Sequence, residues 1–323
     1  REFLNALSKI TFLYVYGPGY SNFNKNKNLV DIINLYGPFD CIFVGHSWLY
    51  DGRKSEIDPW PESGLSKIPI KKFLFLNKEY SNLKKKLRWI KKNKINCVFS
   101  HHKSCQTWQI KTKTHFRYLP FAYDDKYFFY SNKKREYDLA FSGILRNSNK
   151  KSQSDIRLRI LNRLYFTILD IPLFKKKDYR HLSIFWNSVP TTLWGRILSK
   201  IFKTYIFLDI KKYAKLQRNS KVYLNCKSPM NLISPRYFEN IASGCQIITE
   251  KNKDLKKILP KYSYIEFSND LSNFDQVLNE SLVKFNSSKK TLKKNAAITK
   301  EKHSWKVRTK MVLKIIKIFL KQS

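Results

Sequence analysis

The chain has 323 residues and a formal net charge of +39, with 42 % hydrophobic, 15 % aromatic and 27 % charged residues. This composition excludes a disordered or fibrous polymer, and the length exceeds what one ordinary core holds, so two domains are expected. A charge this high draws polyanions such as nucleic acid, anionic lipid or phosphorylated substrates, although a coding bias toward Lys, Asn, Ile, Tyr and Phe would produce much of it.

The first residues lead toward a strand rather than reading as a signal peptide, and the missing Met suggests a numbering that starts inside a longer chain. "ITFLYVY" (Ile10–Tyr16) reads as a buried strand ending in Gly17-Pro18-Gly19. "NLVDIINLYG" is a short amphipathic helix, and "DCIFVGHSW" (Asp40–Trp48) and "KKFLFLNKEY" (Lys71–Tyr80) are strands. "SNLKKKLRWIKKN" is a basic helix with Ser81 as N-cap, and "INCVFSHHKS" (Ile95–Ser104) is another strand. Strands alternating with helices imply a parallel sheet with crossover connections. "RYLPFAYDDKYFFYSNKKREYD" breaks the alternation, so 121–136 is expected to link an N-terminal domain (1–120) to a C-terminal one (137–302). Alternation then resumes with the strand "YDLAFSG", the helix "SDIRLRILNRLYF", and the strands "KVYLNC" and "CQIIT". Helices fill most of 271–322, and 303–323 is a last helix that crosses back to the first domain.

Five cysteines, Cys41, Cys97, Cys105, Cys226 and Cys245, are odd in number and include no CxxC pair. That argues against a disulfide framework or a zinc site and for a reducing compartment. No run of 18 apolar residues exists, so no spanning helix is expected.

Ligands of open parallel sheets bind at the carboxyl ends of strands. In the first domain those ends carry Tyr20, His46, Trp48, Glu79, His101 and His102. His46, Glu79 and His102 are candidate general bases, with His46 the first choice because it directly follows an apolar run. Tyr20 and Trp48 are candidates for holding a hydroxylated acceptor. No metal-ligand spacing accompanies these residues, and no Asp-x-Asp pair stands at a strand end, so no metal is expected.

"NLISPRYFENIASGCQIIT" (Asn231–Thr249) reads as a loop, a helix and a buried strand. Ser234 is an N-cap candidate, Pro235 suits the first helical position and Gly244 the position after the end. The helix start is an anion site, and Arg236 and Glu239, three apart, share a face. On spacing alone the plainer reading is a surface Arg–Glu pair.

"YLNCKSPMNLISPRYFENIASGCQIITEKNKDLKKILP" resembles the donor-binding core of GT-B glycosyltransferases of the group-1 type, closest to the CgeB-like (spore maturation protein) branch. "FRYLPFAYDDKYF", "YDLAFSGILRN", "YAKLQRNSKVYLN" and "EKHSWKVRTKMVLKII" resemble further segments of that family in the same order. The resemblance covers most of 116–316 and is poor between 173 and 210. It implies an α/β protein of two Rossmann-like domains, with a nucleotide-sugar on the second and the acceptor on the first. It implies that Glu239 binds the ribose, that Arg236 lies near the diphosphate, and that Gly143 and Arg146 form a loop beside the leaving diphosphate, with Ser234 at the helix start. Retaining members carry a second Glu eight positions before the first. Here that position is Asn231, so the stereochemistry is left open; an inverting enzyme would draw its base from His46, Glu79, His101 or His102.

"LWGRILSKIF" (Leu193–Phe202) and "KMVLKIIKIFLKQS" (Lys310–Ser323) are basic and amphipathic, which suits an anionic membrane surface or simple packing. The expectation is a metal-independent, cytoplasmic glycosyltransferase, peripheral at a membrane's inner face. It would move sugar from a nucleotide-sugar donor to a glycan, glycolipid or protein acceptor. The alternative is a non-catalytic basic module that binds nucleic acid or another polyanion, for which no nucleic-acid-binding signature appears.

Overall fold

A computed structural model describes residues 2–17, 20–24, 26–45, 64–145 and 154–322. The chain divides into two compact units, Arg1–Phe121 with Lys306–Ser323, and Ala122–Trp305.

The first unit holds four parallel strands, β1 (Cys41–Val44), β2 (Lys71–Leu76), β3 (Cys97–Ser100) and β4 (His115–Tyr118), in the order β1-β2-β3-β4. The strands are apolar almost throughout because helices cover both sheet faces. Leu74 and Leu76 point to one side, where Trp89 and Ile90 of helix Leu83–Lys92 meet them with Val98 and Phe116. Phe73 and Phe75 point to the other. Phe3 packs edge-on to Phe75, and Phe73 meets Phe319 of helix Trp305–Lys321. Arg308 of that helix is buried and donates from Nη2 to the Phe121 carbonyl at 3.2 Å.

Two local expectations change here. Ile10–Tyr16 forms no strand, and Phe12 is 89 % exposed. Tyr14 stacks on Tyr36 at 4.6 Å and the Tyr16 hydroxyl donates to the Asn24 carbonyl at 2.7 Å. Strand propensity is realised only against a paired neighbour, and this segment is occupied by aromatic side chains instead. The helix cap after β2 is Asn82, in a left-handed conformation with no side-chain cap bond, rather than Ser81.

The second unit contains β5 (Tyr137–Ile144), β6 (Tyr165–Ile168), β7 (Ile171–Lys175), β8 (Ile184–Val189), β9 (Ser220–Asn225), β10 (Gln246–Glu250) and β11 (Tyr264–Phe267). Five of these make a parallel sheet in the order β11-β10-β9-β5-β8. Its core joins Leu139, Phe141, Val222, Leu224 and Ile248 to Ile160 and Leu164 on one helix and Phe274 and Leu278 on another. From β5 the chain goes first to β8 on one side and then to β9 on the other. The carboxyl ends of β5 and β9 therefore flank a topological switch point, where such sheets open a crevice.

Strands β6 and β7 form an antiparallel hairpin that the sequence pattern does not announce. Residues 122–136, expected as a linker, pack into this unit. Phe128 is buried, and Arg135 donates to the carbonyls of Gln217 (3.2 Å) and Ser243 (3.0 Å).

Candidate functional site

Helix Pro235–Ala242 is fixed at the carboxyl edge of the larger sheet by two buried side-chain bonds. Asn240 Nδ2 donates to Asn225 Oδ1 at the end of β9 (3.2 Å), and the Tyr237 hydroxyl pairs with Thr249 Oγ1 near the end of β10 (2.7 Å). Pro235 occupies its first turn, and Gly244 ends it at φ 78, where a Cβ would meet the Tyr130 ring at 2.6 Å. Ser234 holds the cap position in extended geometry, but its side chain makes no cap bond and its hydroxyl is left for another partner.

Arg236 stands on the first turn. Its Nε donates to the hydroxyl of Tyr213, on helix Ile210–Arg218, at 3.0 Å. Its Nη1 lies over Gly143 on β5, where an added Cβ would come within 3.5 Å of it and within 3.0 Å of the Phe141 ring. Gly143 therefore leaves room for the guanidinium above the β5–β9 crevice. Burial works against this charge, but Tyr213, Tyr223 and Glu239 outweigh it and keep the group ionised. Burial also pushes the Tyr213 and Tyr223 phenols up, so both stay neutral donors. Glu239 is half-buried and acts on both Arg236 and Tyr213. Asn231 is exposed and left-handed (φ 56), immediately after Met230 (φ 59).

The site also includes residues that sequence reasoning missed. Arg157, on helix Ser154–Leu164, donates from Nη1 to the Ile144 carbonyl at the end of β5 (2.8 Å), while its Nε is buried without a partner. Glu250 ends β10 at 4 % exposure and accepts from the Lys227 N–H at 2.6 Å. Burial raises its pKa against the opposing pull of Lys227 and Arg157. Cys226 follows β9 directly, and burial pushes its thiol up to about 11, so it is no nucleophile at neutral pH. Only a tertiary fold brings Tyr213 to Arg236 and sets Arg157, Glu250 and Arg236 around Cys226; no local sequence signal marks them.

The rim of the smaller sheet is bonded to itself. Glu79 is 2 % exposed, and its Oε1 accepts from Ser100 Oγ (2.7 Å) and from the His101 N–H (3.1 Å). Ser100 Oγ in turn accepts from the His102 N–H at 3.1 Å. His101 is held by the Leu119 carbonyl at Nδ1 (2.7 Å) and stacks on Phe121. The His102 ring is half-buried on Trp108, with Nδ1 buried and without a partner. This corrects the expectation for Glu79: its carboxylate shapes the turn after β3 and is not open to an acceptor. Tyr20 is exposed in a turn, its N–H donating to the Gly17 carbonyl at 3.1 Å. His46, Trp48 and Arg146 lie outside the described residues. Among the described residues all five cysteines are free, and no cluster of His, Cys, Asp and Glu could hold a metal ion.

Residues 183–314 match the family described as "Glycosyl transferase-like". The fold is similar to sucrose-phosphate synthase from Thermosynechococcus elongatus, at 11 % identity over 91 % of this chain and 77 % of that one, with TM-score 0.58. It is also similar to an α,α-trehalose-phosphate synthase (UDP-forming) from Burkholderia vietnamiensis, at 9 % identity over 91 % and 75 % of the two chains, with TM-score 0.54. A third similar structure is Anabaena HepE in complex with UDP-glucose, at 9 % identity over 77 % and 72 %, with TM-score 0.51. No curated protein sequence matches the chain. The match over 183–314 is thus to a glycosyl transferase-like domain, and the α/β fold with parallel sheets is that of these GT-B structures.

Proposed function

We propose that the protein transfers a sugar from a nucleotide diphosphate donor, bound on its second unit, to a glycan, glycolipid or protein acceptor. The observation that carries this is the Arg236 guanidinium set over Gly143 at the β5–β9 switch point, on the first turn of a helix whose dipole also favours anions. Arg236, the helix N–H groups and the Ser234 hydroxyl take the diphosphate. Arg157 supplies a second cation, supported by its unpartnered Nε at the end of β5. Glu239 accepts from the ribose hydroxyls, and the Asn231 amide faces the sugar. As the bond to the sugar breaks, charge grows on the leaving diphosphate, and these fixed donors stabilise it without a metal. UDP-sugars are the first donors to try, since one similar structure holds UDP-glucose and another is named as UDP-forming. The acceptor proton goes to a base on the first unit, His102 or His46. The order of motifs over 116–316 supports the CgeB-like branch.

Calorimetry against UDP, GDP, ADP and CMP tests the donor assignment, with a DNA oligonucleotide as the rival polyanion. One nucleotide should bind in moderate salt while DNA binding disappears. Transfer should continue in excess EDTA; strict dependence on manganese or magnesium would overturn the metal-free assignment.

A second part of the proposal is contact with an anionic bilayer. Leu193, Trp194, Ile201 and Phe202 are each more than 60 % exposed, and so is Phe174 on the β6–β7 hairpin. The two elements join: Asp170, in the hairpin turn, accepts from the Thr191 N–H at 3.2 Å, and Gly195 abuts the Leu169 carbonyl. Arg196, Lys200, Lys203, Lys175 and Lys176 belong to the same segments, so apolar surface and positive charge coincide as a lipid interface requires. Among the described residues no helix is long and apolar enough to cross a membrane. Sedimentation with phosphatidylglycerol vesicles should lose about tenfold in affinity when Trp194→Ser and Phe174→Ser are combined. Undiminished binding would refute this surface.

A further inference from the structure

At the amino-terminal edge of the smaller sheet, opposite the rim that carries Glu79 and His102, lies a cavity of about 500 Å³. Its lining includes Lys71, Lys91, Lys94, Lys113 and His115, over a floor of Ile95 and Phe319, and no acidic residue. None of the four lysine side chains makes an ion pair or hydrogen bond among the described residues. Just beneath, the buried Lys72 spends its ammonium on the Ile68 carbonyl (2.6 Å), and its pKa is lowered by burial and then by the charge of Lys94.

The plainer account is that these lysines neutralise helix ends. Helices Leu83–Lys92, Thr107–Thr112 and Trp305–Lys321 do end near the cavity. Each helix end carries roughly half a negative charge, so three ends offset at most about 1.5 of the four positive charges. A surplus of more than two remains within a single cavity. The backbone adds a second observation. Lys94 (φ 51) and Lys113 (φ 56) occupy left-handed positions that glycine or asparagine fills at less cost. Two strained positions therefore carry a cation into the same cavity.

We infer that this cavity is a binding site for a small phosphate-bearing ligand with two or more negative charges. Lysine ammoniums are compact point charges that suit phosphate, whereas planar carboxylates favour arginine, and no arginine lines the cavity. The volume lies within the usual range for small-molecule sites, and Ile95 and Phe319 leave room for an apolar or ring-bearing body next to the phosphates. The site lies in the first unit and does not depend on the donor assignment in the second.

The test uses the full chain at constant ionic strength, with inorganic tripolyphosphate as probe and sulfate as control, and the melting temperature as readout. Saturating tripolyphosphate should raise the melting temperature by about 5 °C or more, and sulfate by less. The variant Lys94→Asn with Lys113→Asn keeps the left-handed backbone, relieves its strain and removes two charges. It should fold at least as well, lose most of the shift, and bind UDP unchanged. Vesicles of phosphatidylcholine with phosphatidic acid, against the same charge fraction of phosphatidylserine, separate a lipid headgroup from a free phosphate. Preference for phosphatidic acid lost in the variant assigns the headgroup; no such preference, with the tripolyphosphate shift intact, assigns the soluble ligand. Equal tripolyphosphate shifts in wild type and variant, or none in either, would overturn the site.

Discussion

At the carboxyl edge of the larger sheet, Arg236 gives Nε to Tyr213 and sets Nη1 over the open backbone of Gly143, while Arg157 has a buried Nε with no partner. At the carboxyl edge of the smaller sheet, the Glu79 carboxylate and the Ser100 hydroxyl are spent on each other and on the backbone N–H groups of His101 and His102, while the His102 ring keeps a nitrogen without a partner. Topology separates the two edges as well. The larger sheet reverses strand order between β5 and β9 and so opens a crevice, whereas the described strands of the smaller one run β1 to β4 in one direction. A polar strand end becomes a binding site when its hydrogen-bonding capacity is left over for a ligand. Where neighbours use that capacity, the same residue types hold a loop in shape.

The contrast is broken most directly at Arg236. Arg236→Ala should lower turnover by about 10²–10³-fold with little change in melting temperature, as removal of a fixed charge-stabilising donor does; near-normal turnover would take the residue out of the site. Glu239→Ala should weaken donor binding by roughly 1.5–3 kcal/mol in calorimetry, the scale of a charged hydrogen bond. An unchanged affinity in a folded variant would sink the ribose assignment. On the other edge the effect should fall on stability. Glu79→Ala leaves the Ser100 hydroxyl and the His101 N–H buried without their acceptor, at a cost of about 1–3 kcal/mol in urea unfolding, with Glu79→Gln recovering part. A stability equal to wild type would mean that the carboxylate holds nothing. The smallest effect concerns Glu250, whose folded-state pKa is raised by burial. Well below the ordinary Glu pKa the carboxyl is neutral in both folded and unfolded chains, so the gap between wild type and Glu250→Gln should be smallest near about pH 3. As pH rises through the raised value, wild type must bury a charge and loses stability. The variant should therefore gain on the wild type as pH rises and be the more stable of the two at about pH 7.5 in urea unfolding. A gap that does not grow with pH would contradict the burial argument.

Helix Pro235–Ala242 was legible because its signals are local. Ser234-Pro235 before an apolar-periodic stretch and Gly244 after it mark a helix, whereas Arg236 and Glu239 read on spacing alone as a surface pair and only the family resemblance set them apart. The parallel sheets were legible from alternating apolar runs. The β6–β7 hairpin was not, because its two-residue turn is Leu169-Asp170, both left-handed (φ 48 and 66), where Asn-Gly would be the usual signal. Tyr213 and Arg157 could not be read either, since each comes from a helix whose place, against Arg236 for one and at the end of β5 for the other, is decided by the tertiary fold. The fate of Glu79 was hidden for a related reason. A carboxylate at a strand end looks the same in sequence whether it faces solvent or a serine 21 residues away.

The pinning of helix Pro235–Ala242 has a consequence for how the molecule breathes. Asn240 and Tyr237 anchor it to two central strands, so its interior amides should exchange with deuterium only when the whole unit opens. Met230 and Asn231, just ahead of it, are exposed and left-handed, with the Asn231 N–H in a turn bond to the Ser228 carbonyl (3.1 Å), and their amides should exchange far sooner. A slow stretch so close to a fast one would mark the border between the backbone that holds Arg236 in place and the backbone free to change conformation ahead of it.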